Sequence, residues 1–108
     1  MNVVSDLYFQ VETSDGVMIR TTKEYWQRII TTKHPSIAKY ESQVKNILSN
    51  PDEIRRSRQD SRVHLYYKSF GKLYICVIAD HVTSKEGYII TAYLTDRIKE
   101  GEQIYVKT

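Results

Sequence analysis

The stretch that most constrains this chain is Leu73 to Asp80, where Leu73-Tyr74-Ile75-Cys76-Val77-Ile78-Ala79 runs without a polar break until the closing aspartate. A near-continuous apolar run of that length fits a central strand covered on both faces. Its neighbours read as strands too. Arg62 to Phe70 alternates and turns at Gly71, and Gly87 to Thr95 returns after a loop from His81 to Glu86. Asp96 to Gly101 reads as a short turn or helical piece, and Gln103 to Lys107 as a fourth strand. Residues 62–108 are therefore expected to form an antiparallel meander.

The first half has a different grammar. Val3 to Glu12 reads as extended, Ser14-Asp15-Gly16 is a turn signal, and Val17 to Thr21 comes back, which predicts a hairpin over residues 1–21. Thr21-Thr22-Lys23-Glu24 has the form of a capping box, followed by Tyr25, Trp26, Ile29 and Ile30 at helical spacing. Pro35 stops that helix near His34, because the residue before a proline is pushed out of the α region. Ser36 to Ser49 predicts a second helix with Ile37, Val44, Ile47 and Leu48 on its inner face and Tyr40 beside them. Asn50 then caps a short third turn, with Pro51 at its start and Asp52 and Glu53 on its positive end. Helices occupy 22–58 in this reading. At 108 residues the chain has the size of one domain. The expected fold is α+β, with an N-terminal hairpin and helices packed on a C-terminal antiparallel β-sheet.

Several function classes drop out. Cys76 is the single cysteine and lies inside the apolar run, so an internally disulfide-stapled scaffold is excluded. The 4 glycines are scattered and build no phosphate loop. His34, His64 and His81 lie far apart in the chain and no cysteine joins them at metal-site spacing. An enzyme built from these residues is expected to work without metal or organic cofactor. No apolar segment approaches the roughly 18 residues of a membrane span. Met1 to Gln10 lacks a basic region followed by an apolar stretch, so the cytoplasm is the default location and no membrane partner is expected.

Charge is unevenly spread. Between Ile54 and Lys72 stand Arg55, Arg56, Arg58, Arg62, Lys68 and Lys72 against the single acid Asp60, a net +5 in a chain whose total is +3. That is the pattern of an electrostatic footprint for an anionic partner. Strand alternation sets Val63, Leu65 and Tyr67 on one side and Arg62, His64, Tyr66 and Lys68 on the other. In the next alternating strand it separates Tyr88, Ile90, Ala92 and Leu94 from Ile89, Thr91, Tyr93 and Thr95. If the apolar sets face the helices, Arg62, His64, Tyr66, Lys68, Thr91 and Tyr93 share the open face. Such a face either holds phosphates and stacks bases, or is simply the solvated side of a two-layer sheet. His34, fixed before Pro35, is either an acid–base group near neutral pH or a residue answering free carbonyls at a helix end.

Three segments carry a resemblance. They are Lys33-His34-Pro35, then Asn50 to Ser57 leading to Tyr66-Tyr67-Lys68, then Ile89-Ile90-Thr91-Ala92-Tyr93-Leu94-Thr95-Asp96. In order and spacing this set resembles small bacterial and phage-associated proteins of the barnase–EndoU–colicin–RelE-like (BECR) nuclease group, from about Trp26 to the C-terminus. The resemblance implies a helices-then-sheet fold and metal-independent ribonuclease activity of the toxin or effector kind. It implies His34 as acid/base, Arg56 and Lys68 on the scissile phosphate, Thr91 bonded to that phosphate, and Tyr67 or Tyr93 positioning the substrate. Alternation opposes one part of this, since Tyr67 and Lys68 point to opposite faces unless a bulge intervenes.

Two functions follow as expectations. One is an endoribonuclease, with Arg55, Arg58, Arg62, Tyr66, Tyr67 and Tyr93 contacting RNA. The other is a non-catalytic binding module for RNA or a protein. A neutralising protein partner would fit a toxin.

Overall fold

The structure, a computed structural model, describes residues 6–98 and 101–108. The expected strand positions Val3 and Val4, and residues 99–100 of the turn after the meander, lie outside them. β1 (Leu7–Glu12) and β2 (Met18–Thr22) form the hairpin. Its turn is held by Thr13, whose hydroxyl accepts from the Val17 N–H at 2.9 Å, and by Gly16, whose φ of 85° suits a residue without a Cβ.

α1 (Lys23–Arg28) starts one residue later than the capping pattern implied. Thr22 is the cap and accepts from the Tyr25 N–H at 3.1 Å. Glu24 thus falls one position short of closing a capping box, and Thr21 stays in β2 opposite Phe9. A π turn, Ile29–Lys33, ends at His34. The expected second helix is split: Pro35–Tyr40 is a 3-10 helix, and α2 is Glu41–Ser49. Ile37, Val44, Ile47 and Leu48 are buried as their spacing predicted.

The expected third helical turn is a strand. β3 (Glu53–Arg56) pairs on both sides, with β4 (Val63–Phe70) and with β7 (Glu102–Val106). Asn50, which precedes Pro51, has already left the helical region, at φ −146° and ψ 65°. Asp52 continues the pairing by donating to the Tyr67 carbonyl and accepting from the Lys107 N–H. Partners on two sides, with Ile54 buried between them, outweigh the local helix-start signal.

β4, β5 (Leu73–His81) and β6 (Glu86–Thr95) form the predicted meander. The sheet order is β1-β2-β6-β5-β4-β3-β7. The sheet is mixed rather than purely antiparallel, because β2 runs parallel to β6 from Met18/Glu86 to Arg20/Tyr88. β7 lies at the far edge beside β3, not next to the meander's last strand.

On β4 the two faces are the reverse of the expected ones, while on β6 Ala92 and Leu94 face the helices and Thr91 and Tyr93 the open side as expected. Directly paired residues share a face, so His64, Tyr66 and Lys68 lie with Ala79, Val77 and Ile75. That face carries the helices: Tyr66 is 0% exposed and packs with Ile29, Ile37, Val44 and Leu48 in the main core. Val63, Leu65 and Tyr67 belong to the second face, where Leu65, Tyr67 and Cys76 form a smaller core with Tyr93 and Ile98 against it. Alternation sorts side chains into two sets but does not say which set faces inward when both contain large apolar rings. A bulge adds a further shift. Ala79 pairs with Ile89 while Ile78 pairs with Thr91, so Ile90 is the extra residue. Ile89 therefore joins Ala92 and Leu94 on the helix side, and Tyr88, Thr91 and Tyr93 face the other way.

Candidate functional site

The second face gathers part of the expected set. Tyr67, Cys76 and Tyr93 stand in register across β4, β5 and β6. The imidazole of His34 extends this row, its ring centroid 5.3 Å from that of Tyr93. The His34 backbone is fully used, donating to Ile29 and accepting from Ile37, so the ring is held at a set point beside β6. In the next row Leu65, Ile78 and Thr91 are in register, about 7 Å along the strands. The Thr91 hydroxyl is buried and has no hydrogen-bond partner among the described residues. Burial above all, then the neighbouring Cys76 and Tyr67, pushes the Tyr93 phenol far above its ordinary range, so it stays protonated.

A cation also reaches this strand. The Lys33 ammonium lies 3.4 Å from the Ile90 carbonyl and 3.3 Å from the Tyr25 hydroxyl, which itself donates to Ile90 at 2.8 Å. Lys33 was visible in the sequence only as the residue before His34. Its role depends on β2 leaving β6 after Tyr88, which frees the edge that Lys33 and Tyr25 occupy.

Other expected residues stand elsewhere. Arg56 pairs with His64 and Lys68 with Ile75, both on the helix face. Four residues of strand, about 13 Å, separate the two levels. His34 and Thr91 are thus not joined by Arg56 and Lys68 at one point. Tyr66 is fully buried beneath the helices and presents no ring to a base. Tyr67 is 0% exposed, so alternation holds and it is core on its own face.

The basic segment loses its excess charge in three dimensions. Arg55 pairs with Glu53 at 2.5 Å, Arg56 with Glu102 at 2.5 Å, Arg62 with Asp80 through two 2.9 Å bonds, and Lys68 with Asp52 at 3.6 Å. Arg55 and Arg58 also donate to the Gly101 carbonyl. All four acids lie outside the window that carried +5. Strand pairing brings them in, which a count along the chain does not register. Paired with Arg62, the Asp80 carboxyl is held below its usual range, chiefly by the Arg62 hydrogen bonds.

A second polar cluster was missed. His64 and His81 stack at the end of the helix face, and Tyr66 bonds His81 there. Asp15 of the hairpin turn, bonded to the Thr13 hydroxyl, closes over them. A tight turn at Gly71 was enough to bring residues 64 and 81 onto neighbouring strands, and that signal was available.

Among the described residues no three His, Cys, Asp or Glu side chains are grouped to hold a metal ion. Among them, too, no helix is long and apolar enough to cross a membrane. Comparison with protein-family models, with curated proteins and with solved structures finds no match to this chain.

Proposed function

We propose that this protein is an endoribonuclease that cleaves RNA without a metal ion, at the edge of β6 on the second face. The observation that carries the reading is His34 set against Tyr93, with the buried, unbonded hydroxyl of Thr91 one row away. A buried polar group without a partner calls for an explanation, and a ligand oxygen is one. The order of Lys33-His34-Pro35 and Thr91-Ala92-Tyr93 in the BECR resemblance supports the same pair of segments.

The chemistry is transesterification. The His34 imidazole takes the proton of the ribose 2′-OH as that oxygen attacks phosphorus. The bond from phosphorus to the 5′-oxygen breaks, and the leaving oxygen takes a proton from the imidazolium, giving a 2′,3′-cyclic phosphate and a 5′-hydroxyl. Thr91 donates to a phosphoryl oxygen, Lys33 supplies positive charge beside it, and Tyr93 positions the imidazole. Arg56 and Lys68 lie on the other face in ion pairs, so Lys33 takes the electrostatic role first expected of them.

The test is cleavage of mixed cellular RNA in excess EDTA. Activity is expected, with losses of about 10²- to 10⁴-fold in His34→Ala and a smaller loss in Thr91→Val. Cleavage that is unchanged in both variants, or absent from every RNA class, overturns the reading.

A binding module remains the second reading, on a separate observation. β7 is an outer strand exposed along its whole length, and it presents Ile104, Tyr105 and Val106 to solvent. An uncovered apolar edge is where a partner's strand adds to a sheet. A neutralising protein would dock there without touching His34.

A further inference from the structure

We infer that the cleft where β2 parts from β6 is a nucleobase subsite, an inference that rests on the endoribonuclease reading. The two strands run together only as far as Arg20 and Tyr88. Beyond that point β2 turns into α1, and the fork leaves a cleft of about 250 Å³ lined by Arg20, Thr21, Thr22, Tyr25, Tyr88 and Ile89. That is below the roughly 300–1,000 Å³ of drug-sized ligand sites, so it has room for one ring system and not for a large cofactor.

Its chemistry suits a flat heteroaromatic ring attached to an anion. Tyr25 and Tyr88 are both anchored at their phenol ends, the first to the Ile90 carbonyl and the second to Asp80, so their rings are held in place before any ligand arrives. Aromatic faces stack bases of any sequence. Thr21 is 3% exposed, and its hydroxyl has no hydrogen-bond partner among the described residues. A hydroxyl both donates and accepts, which matches the mixed edge of a base. Arg20 is at the rim, and its Nη1 reaches Glu86 at 3.5 Å and the Gly87 carbonyl at 3.4 Å, both long contacts. Its remaining N–H groups are available to a phosphate oxygen.

Position ties the cleft to the cleavage site. Tyr88 and Thr91 both face the second side of β6, opposite Asp80 and Ile78 of β5, with the Ile90 bulge between them, and so lie about 7 Å apart along the strand. Tyr25 lines the cleft and also contacts Lys33. A base in the cleft would therefore hold the adjoining phosphate toward Thr91 and His34.

The experiment is a titration of the full chain with each of the four nucleoside 3′-monophosphates, followed through backbone amide shifts, with inorganic phosphate as control. The expected result is that at least one nucleotide shifts the amides of Thr21, Thr22, Tyr88 and Ile89, and binds more tightly than phosphate. Thr21→Val and Tyr88→Leu should each weaken that binding about 10-fold. Thr21→Val keeps the side-chain shape and removes an unbonded hydroxyl, so its fold is not at risk. Nucleotides that bind no better than phosphate, or equally well to both variants, overturn the subsite. Failure of the nuclease reading looks different: nucleotides fill the cleft as expected while RNA stays intact. A chain that cleaves RNA with unchanged KM and base preference in both variants keeps the nuclease and loses the subsite.

Discussion

The imidazoles of His64 and His81 lie face to face, their centroids 3.6 Å apart and their planes 4° from parallel. Two cations cannot sit comfortably at that spacing. The Tyr66 hydroxyl meets His81 Nε2 at 2.8 Å, with Asp15 at 3.5 Å from the same hydroxyl. Burial first, and then His64, pushes His81 down to about 4, against smaller opposing effects of Asp15 and Asp80. His81 is therefore neutral in the folded protein at ordinary pH and accepts a hydrogen bond from the Tyr66 phenol.

Stability should fall with acid in a window set by His81. The unfolded chain protonates it near the ordinary histidine value of about 6.5, the folded chain near 4. Between the two the unfolded state binds more protons, so stability rises with pH across this range and is fully present above it. Because His81 is only half-buried, the effect is about 1–2 kcal/mol after allowance for solvent screening. Urea midpoints at pH 4.5 and 7 measure it. His81→Phe should flatten the dependence, and an equal slope in that variant would rule His81 out as its source.

Tyr66→Phe removes the hydroxyl that His81 accepts from and leaves the packed ring in place. A loss of about 1 kcal/mol is expected from the missing bond. Chemical denaturation measures it, and a variant as stable as the parent would mean that the bond contributes nothing net.

Gly87 is the position least able to take a side chain. A Cβ built there would run into the carbonyl oxygen of Asp80 on the neighbouring strand and press on Ile19. Backbone atoms in a paired strand cannot step aside cheaply. Gly87→Ala should cost about 2–4 kcal/mol, seen as a lowered Tm, whereas Gly71→Ala meets no neighbouring atom within 4 Å and is strained only by its φ of 62°.

RNA affinity should depend on salt less steeply than the +5 segment implies. With Arg55, Arg56, Arg62 and Lys68 each matched to an acid, about two or three phosphates are neutralised on binding. The expected log–log slope is then about −1.5 to −2 for single-stranded RNA. Anisotropy titrations between 50 and 200 mM salt give the slope directly, and a value near −4 would mean that the ion pairs open to receive RNA.

What could be read from the chain, and what could not, divides along physical lines. Leu73 to Asp80 announced the central strand because burial on both faces leaves no room for polar residues. The turns at Gly16 and Gly71 were legible because they need a positive φ. β3 was not, since Asn50-Pro51-Asp52-Glu53 is a good helix start in isolation and only partners from β4 and β7 make it extended. The inward set of β4 was misassigned because Tyr66 and Tyr67 are both large enough to be core, and both are. The Ile90 bulge, which exchanges the sides of Tyr88 and Ile89 and leaves Thr91 and Tyr93 on the open side where alternation had put them, left no mark on the sequence. His34 stood out by its place before Pro35 and Thr91 by strand alternation, and the order of their segments joined them, while the ion pairs that neutralise the arginines depend on contacts distant in the chain.

The placing of β2 and β7 also bears on how the chain reaches this state. Met18 must wait for Glu86, and Arg56 for Glu102, before either flank of the sheet is complete. The meander can assemble from local hairpins, but both borders close late and over long loops, a pattern that slows folding. On a translating ribosome the N-terminal hairpin emerges well before the strand it joins, with Ile19 and Phe9 uncovered in the meantime. This protein should therefore be most prone to misassociation during synthesis, before β6 and β7 have appeared.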